Sequence, residues 1–157
     1  VSVRPATAAD IEGLRPLLRG YCDFYDYTPR DEDMCAMALA VIEAPDDVAF
    51  LLVAEEEGEL VGFALCQWKR SILWGGPLVV LDDLFVAESA RERGHGTALL
   101  EAAAEFARGR GAAALNWLTA PDNHRAQRVY NKSGAHSEPF LEYHLPLTAS
   151  EGDGQQR

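Results

Sequence analysis

The sequence predicts an α/β domain in which a mixed sheet is covered by helices on both faces. Three observations carry that expectation. Val79 to Val86 is short, apolar and β-branched, as a buried strand is, and it leads through a glycine-punctuated turn into an alanine-rich helix. Val48 to Glu55 and Glu59 to Trp68 are apolar runs joined at Glu57-Gly58, the signal of a hairpin. Helical patterns lie between and beyond these strands, and a sheet interleaved with helices buries both of its faces.

Taken in order, Val1 to Arg4 predicts a first strand, stopped by Pro5. Thr7-Ala8-Ala9-Asp10 has the form of a capping box and opens a helix to about Arg19. Pro16 lies inside that pattern and should kink the helix or end it early. The stretch Tyr21 to Tyr27 packs aromatic rings around Asp23 and Asp26. Thr28-Pro29 supplies an N-cap and a first-turn proline for a second helix reaching about Glu43. After the hairpin, Lys69 to Gly76 is a bend carrying Trp74. Beyond the Val79 strand, Leu99, Ala103 and Phe106 recur at i, i+4 and i+7, the stripe of a helix packed on one face. Gly109 and Gly111 end it, with Arg108 and Arg110 at its negative end. Ala112 to Thr119 predicts a further strand, Asn123 to Ser133 a helix, and His136 to Leu145 a last extended stretch. Residues 1–147 are expected to form a single domain, and the polar, glycine-containing residues 148–157 a disordered tail.

The formal charge is −11, from 14 basic and 25 acidic residues. Such acidity argues against nucleic acid or an anionic membrane as partner and suits a cationic substrate. Cys22, Cys35 and Cys66 lack metal or redox spacing and are expected reduced. The four histidines lack ligand spacing, so no metal site is expected. No apolar run spans a bilayer and no signal-peptide core opens the chain, so the expected location is the cytoplasm.

The chemistry concentrates at Arg91-Glu92-Arg93-Gly94-His95-Gly96, followed by Thr97. Glycine lets the backbone turn tightly, and the first turn of the following helix has unpaired N–H donors at a positive dipole end. Arg91 and Arg93 add charge-assisted bonds to a phosphate. The spacing R-x-x-G-x-G fits neither a dinucleotide fingerprint nor a P-loop.

Residues 78–135 resemble the GNAT superfamily of N-acetyltransferases. LDDLFVAESARERGHGTALL is similar to its motif A, and Asn123, Ala126, Tyr130 and Gly134 form a second match. Within the superfamily the run L-D-D-L-F-V is most similar to the spermidine/spermine and thialysine branch. The resemblance implies the GNAT fold: a mixed, mostly antiparallel sheet whose central parallel strands splay apart, with helices on both faces. It implies acetyl-CoA as co-substrate, held by Leu84, Phe85 and Val86, by the loop Arg91 to Thr97, and by Asn123, Ala126 and Tyr130. Tyr130 matches the tyrosine that protonates the departing sulfur, and Asp82 the acidic residue that acts as base or amine anchor. Tyr25, Asp26, Asp82 and Asp83 are candidate acceptor contacts. Successive strand residues face opposite ways, so Asp82 and Asp83 reach one point only if a bulge intervenes. The expected activity is direct acetyl transfer to a primary amine of a small polyamine- or amino-acid-like acceptor. A non-catalytic acyl-CoA sensor and a peptide-lysine acetyltransferase are the alternatives. Proteins of this kind are often homodimers.

Overall fold

The computed structural model describes residues 1–148. Five strands form one sheet in the order β1-β2-β3-β4-β5: β1 Ser2–Pro5, β2 Ala49–Glu56, β3 Glu59–Ser71, β4 Gly76–Val86 and β5 Leu115–Asn116. The first four are antiparallel neighbours, and β4 and β5 run parallel. Helices α1 Ile11–Phe24 and α2 Asp31–Glu43 cover one face, and α3 His95–Gly109 the other. A short helix, α4 His124–Lys132, follows β5. Alternation in the sheet sorts the core accordingly. Leu51, Val53 and Phe63 meet Leu14, Leu17 and Leu18 of α1, while Leu52, Ala64 and Val79 meet Leu99 and Ala103 of α3.

Four elements depart from the sequence expectations. Helix α1 passes through Pro16 and continues to Phe24, because Leu14, Leu17 and Leu18 bury one stripe across the missing hydrogen bond. Helix α2 starts at Asp31 rather than at Pro29, with extended Arg30 at its N-cap. Arg19 holds that entry, donating through Nη2 to Pro29 O at 2.5 Å and to Asp31 Oδ1 at 2.6 Å. Strand β5 is two residues long, since only Leu115 and Asn116 pair, opposite Val79 and Val80, before the two chains diverge. Residues 136–147 carry no strand and lie exposed. The expectation of a disordered tail falls, Thr148 aside, outside the described residues.

The ladder between β3 and β4 slips by one residue. Leu65 faces Asp83 and Cys66 faces Leu81, so Asp82 is the extra residue of a bulge. Through that slip Val79 and Leu81 share the α3 layer with Leu84 and Val86, while Phe85 turns to the α1 layer.

Candidate active site

A cavity of about 560 Å³ opens where β4 and β5 part, within the size range of ligand pockets. Its floor is Leu84, Phe85 and Val86 at the end of β4, which lack a neighbouring strand on the β5 side. Strand β4 runs through the short 3₁₀ turn Glu88–Ala90 into the loop before α3. Gly94 is the N-cap of α3 at φ 88°, the left-handed region that disfavours a side chain. Beyond its neighbours in the chain, no atom of the described residues lies within 4 Å of where its Cβ would stand, and for Gly96 the nearest is Val86 Cγ2 at 3.9 Å. Gly94, His95, Gly96 and Thr97 line the cavity, so the positive end of α3 lies at it, an arrangement that suits an anion.

The loop is anchored from both sides. Arg91 Nε donates to Val86 O at 2.9 Å and its guanidinium lies 5.6 Å from the Phe85 ring, which fixes it beside the cavity. Arg93 points elsewhere: its Nη1 donates to Glu56 Oε2 at 2.7 Å, and it does not line the cavity. His95 is buried at 2% exposure, with neither ring nitrogen hydrogen-bonded and Nε2 3.4 Å from Glu56 Oε1. Glu56, at the end of β2, thus ties the loop to the sheet.

The opposite wall is α4. Asn123 caps it, its Oδ1 accepting from Ala126 N at 3.2 Å. Tyr130 lines the cavity with its ring edge on Trp117, centroids 5.3 Å apart. Burial pushes its phenol up to about 12, so it stays protonated at any ordinary pH. Arg125, Arg128 and Lys132 recur at i, i+3 and i+7 and also line the cavity. With Arg91 they make the site cationic within an acidic chain, which suits a polyanionic ligand.

The third wall comes from α1. Gly20 permits it, because a Cβ there would stand 2.9 Å from Phe85 Cζ. The close approach brings Tyr21, Phe24 and Tyr25 to the cavity mouth. Tyr21 meets Tyr25 edge to face at 5.1 Å and hydrogen-bonds Asp83. Asp83 is pushed above the ordinary carboxylate range by burial, while the Tyr21 hydroxyl pulls the other way. Asp82 is exposed on the far side of the bulge, accepting from Gln67 Nε2 at 2.5 Å, and it does not line the cavity. Asp26 has left-handed φ 58° in the turn after α1 and is likewise outside the lining, as is Asp83, which reaches the cavity only through Tyr21.

The structure thus brings together Leu84, Phe85, Val86, Arg91, Glu92, Gly94, His95, Gly96, Thr97, Asn123, Ala126, Tyr130 and Tyr25. Sequence reasoning did not place Tyr21, Phe24, Arg125, Arg128 or Lys132 there. The basic spacing on α4 was a usable signal, whereas Tyr21 and Phe24 join the site only because α1 runs past Pro16.

Comparison with known proteins gives this geometry its context. Residues 12–135 match the model of the Acetyltransferase (GNAT) family. The chain is 31% identical over 150 residues to YhfO, an uncharacterized N-acetyltransferase of Bacillus subtilis (strain 168), covering 95% of this chain and 99% of that protein. It is 37% identical over 91 residues to the D-amino-acid N-acetyltransferase HPA3 of Saccharomyces cerevisiae (strain ATCC 204508 / S288c), covering 55% of this chain and 53% of that protein. In fold it is similar to the aminoglycoside N-acetyltransferase AAC(6')-Iy, solved with a bisubstrate analog of CoA, at TM-score 0.79 and 23% identity over 93% of this chain and 98% of that one. Among the described residues no cluster could hold a metal ion, and no helix is long and apolar enough to cross a membrane. An open helix N-terminus, a basic wall and an unpaired strand end fit the pyrophosphate and amide groups of acetyl-CoA, and the chain is a member of the GNAT acetyltransferase family that uses this co-substrate.

Proposed function

We propose that this single acyltransferase domain acetylates the primary amine of a small polyamine- or amino-acid-like acceptor, with Asp83 and Tyr130 as its proton-handling residues. The observation that carries this reading is the convergence of Tyr21, which hydrogen-bonds the buried Asp83 behind it, and Tyr130 on one cavity from opposite walls. The similarity to HPA3, named for D-amino acids, supports an amino-acid-like acceptor, and the L-D-D-L-F-V run supports the polyamine and thialysine branch. Three cysteines without a disulfide among them suit a reducing compartment such as the cytoplasm.

Acetyl-CoA supplies an activated thioester carbonyl. The α3 N-terminus and Arg91 hold its pyrophosphate, and the backbone of Leu84 to Val86 orients its arm. The mouth aromatics Tyr21, Phe24 and Tyr25 receive the ammonium through cation–π contact. An amine of this class is almost wholly protonated at neutral pH. Its proton passes to the Tyr21 oxygen as Tyr21 passes its own to Asp83, whose burial makes it a stronger base than an exposed carboxylate. The free amine attacks the carbonyl carbon, the carbon–sulfur bond breaks, and Tyr130 gives its hydroxyl proton to the sulfur; the second proton, which the new amide nitrogen sheds, returns through water to the Tyr130 oxygen. Asp82, held by Gln67 outside the cavity, is not needed for this route.

The test is thiol release from acetyl-CoA against a panel of polyamines, amino acids and lysine peptides, with Tyr130→Phe beside the natural chain. Amine-dependent release that falls about 10²-fold in kcat in the variant is expected, the usual size of a general-acid contribution. Unimpaired CoA binding without turnover on any amine would instead favour an acyl-CoA sensor.

A further inference from the structure

Of the described residues that line the cavity, Glu92 alone is acidic, set among Arg91, Arg125, Arg128 and Lys132. Its backbone has φ 67°, in the left-handed region where a glutamate is strained. Glu57 shares that conformation, but there the tight hairpin turn Glu57-Gly58 between β2 and β3 requires it. Glu92 sits in no hairpin. Its side chain has a partner on the facing wall: Arg125 Nη2 donates to Glu92 Oε1 at 3.2 Å, joining the loop to α4. Glu92 is 81% exposed and Arg125 47%, so either can change partner without disturbing the core.

A carboxylate among groups that suit phosphate opposes the ligand they attract. The chemistry of the co-substrate gives it a use. The phosphates of acetyl-CoA are remote from the reacting carbonyl and are unchanged in the product CoA. Their binding energy holds substrate, transition state and product alike, so it lowers KM and delays release without raising kcat. We propose that Glu92 is a resident competitor for that binding: its carboxylate and a phosphate of CoA are alternative partners of Arg125, and the exchange trims the affinity so that product leaves. The proposal rests on the reading above that the phosphates lie at the α3 N-terminus beside the basic wall of α4. A single bond to Glu92 gives way to the bidentate geometry that a phosphate offers a guanidinium, and the released carboxylate turns to solvent.

Titration calorimetry of the full chain with CoA at low salt tests the exchange. Glu92→Gln keeps the size and removes the charge. It is expected to tighten CoA about 3-fold, the scale of an exposed ion pair, with CoA dissociation slowed by about the same factor in stopped flow. Arg125→Ala is expected to weaken CoA about 5-fold, and in that background Glu92→Gln should change the Kd by less than about 1.5-fold. An ion pair that only props the two walls in place gives the opposite sign, so weaker or unchanged CoA binding in Glu92→Gln overturns the proposal. Tightening that persists undiminished beside Arg125→Ala also overturns it, because Glu92 would then be a plain repulsive charge. Arg91→Ala keeps the two failures apart: if it leaves CoA binding unchanged, the phosphates lie elsewhere and the reading of the site falls with the proposal.

Discussion

Asp82 and Asp83 are neighbours in sequence with opposite surroundings, and the difference lies in what each touches. Asp82 meets Gln67 in solvent, whereas Asp83 is buried against Tyr21. Tyr21 donates to the ionised form of Asp83 and so lowers a pKa that burial raises. Tyr21→Phe removes the donor, the ionised form becomes less stable, and the pKa rises further. The acid limb of kcat/KM is therefore expected to move to higher pH, with a fall of about 10-fold or more at neutral pH from loss of the proton path. A pH–rate profile that keeps its acid limb would dissociate Asp83 from the reaction. That two carboxylates sat on the central strand was legible in the sequence. Which of them faced α1 was not, because a bulge is a property of the pairing with β3 rather than of β4 alone.

The elements that flank the loop were the most legible, since an apolar β-branched run, two glycines and an alanine-rich stripe read as strand, turn and helix, although Arg93, expected at a phosphate, bonds Glu56 instead. Helix ends were less so: α1 outlasts its proline because three buried leucines outweigh one lost hydrogen bond, a balance struck only in the packed chain. The β4 bulge makes an unusual prediction at this scale. Removing Asp82 makes Leu81 and Asp83 adjacent, opposite Cys66 and Leu65, which are adjacent already. Every apolar side chain of β4 then keeps its layer. Deletion of Asp82 is expected to cost no more than about 1 kcal/mol by urea unfolding, although it shortens a central strand. Deletion of Val80 would turn fully buried Val79 to the other face and is expected to abolish the folded signal.

Across the whole molecule, charge is divided by place: an acidic exterior surrounds a cavity lined by Arg91, Arg125, Arg128 and Lys132. Net charge was legible from composition, but its local reversal needed three residues of α4 to be placed on one wall. The N-terminal strand is tied into the fold by another charge cluster. Arg4 donates to Asp10 at 2.8 Å and to Glu55 at 2.6 Å, and the hydrogen bond from Arg4 pulls Asp10 down to about 2. A carboxylate with a depressed folded pKa stabilises the fold above its unfolded pKa of about 3.9 and ceases to as pH falls toward the folded value. Asp10→Asn is expected to lower stability by roughly 1–2 kcal/mol at pH 7, and the gap between variant and natural chain should close between about pH 4 and pH 2. Urea midpoints measured across that range check it.

The parting of β4 and β5 has a consequence for the stability of the chain. A sheet left unzipped over Leu84 to Val86 leaves backbone groups beside the cavity open to a ligand. Occupancy then enters the folding equilibrium itself: at 100 times its dissociation constant, a ligand adds about 2.7 kcal/mol to the folded state. A thermal midpoint that rises with added acetyl-CoA is the expected outcome, and the opening that admits the co-substrate is then also the place where the co-substrate holds the fold together.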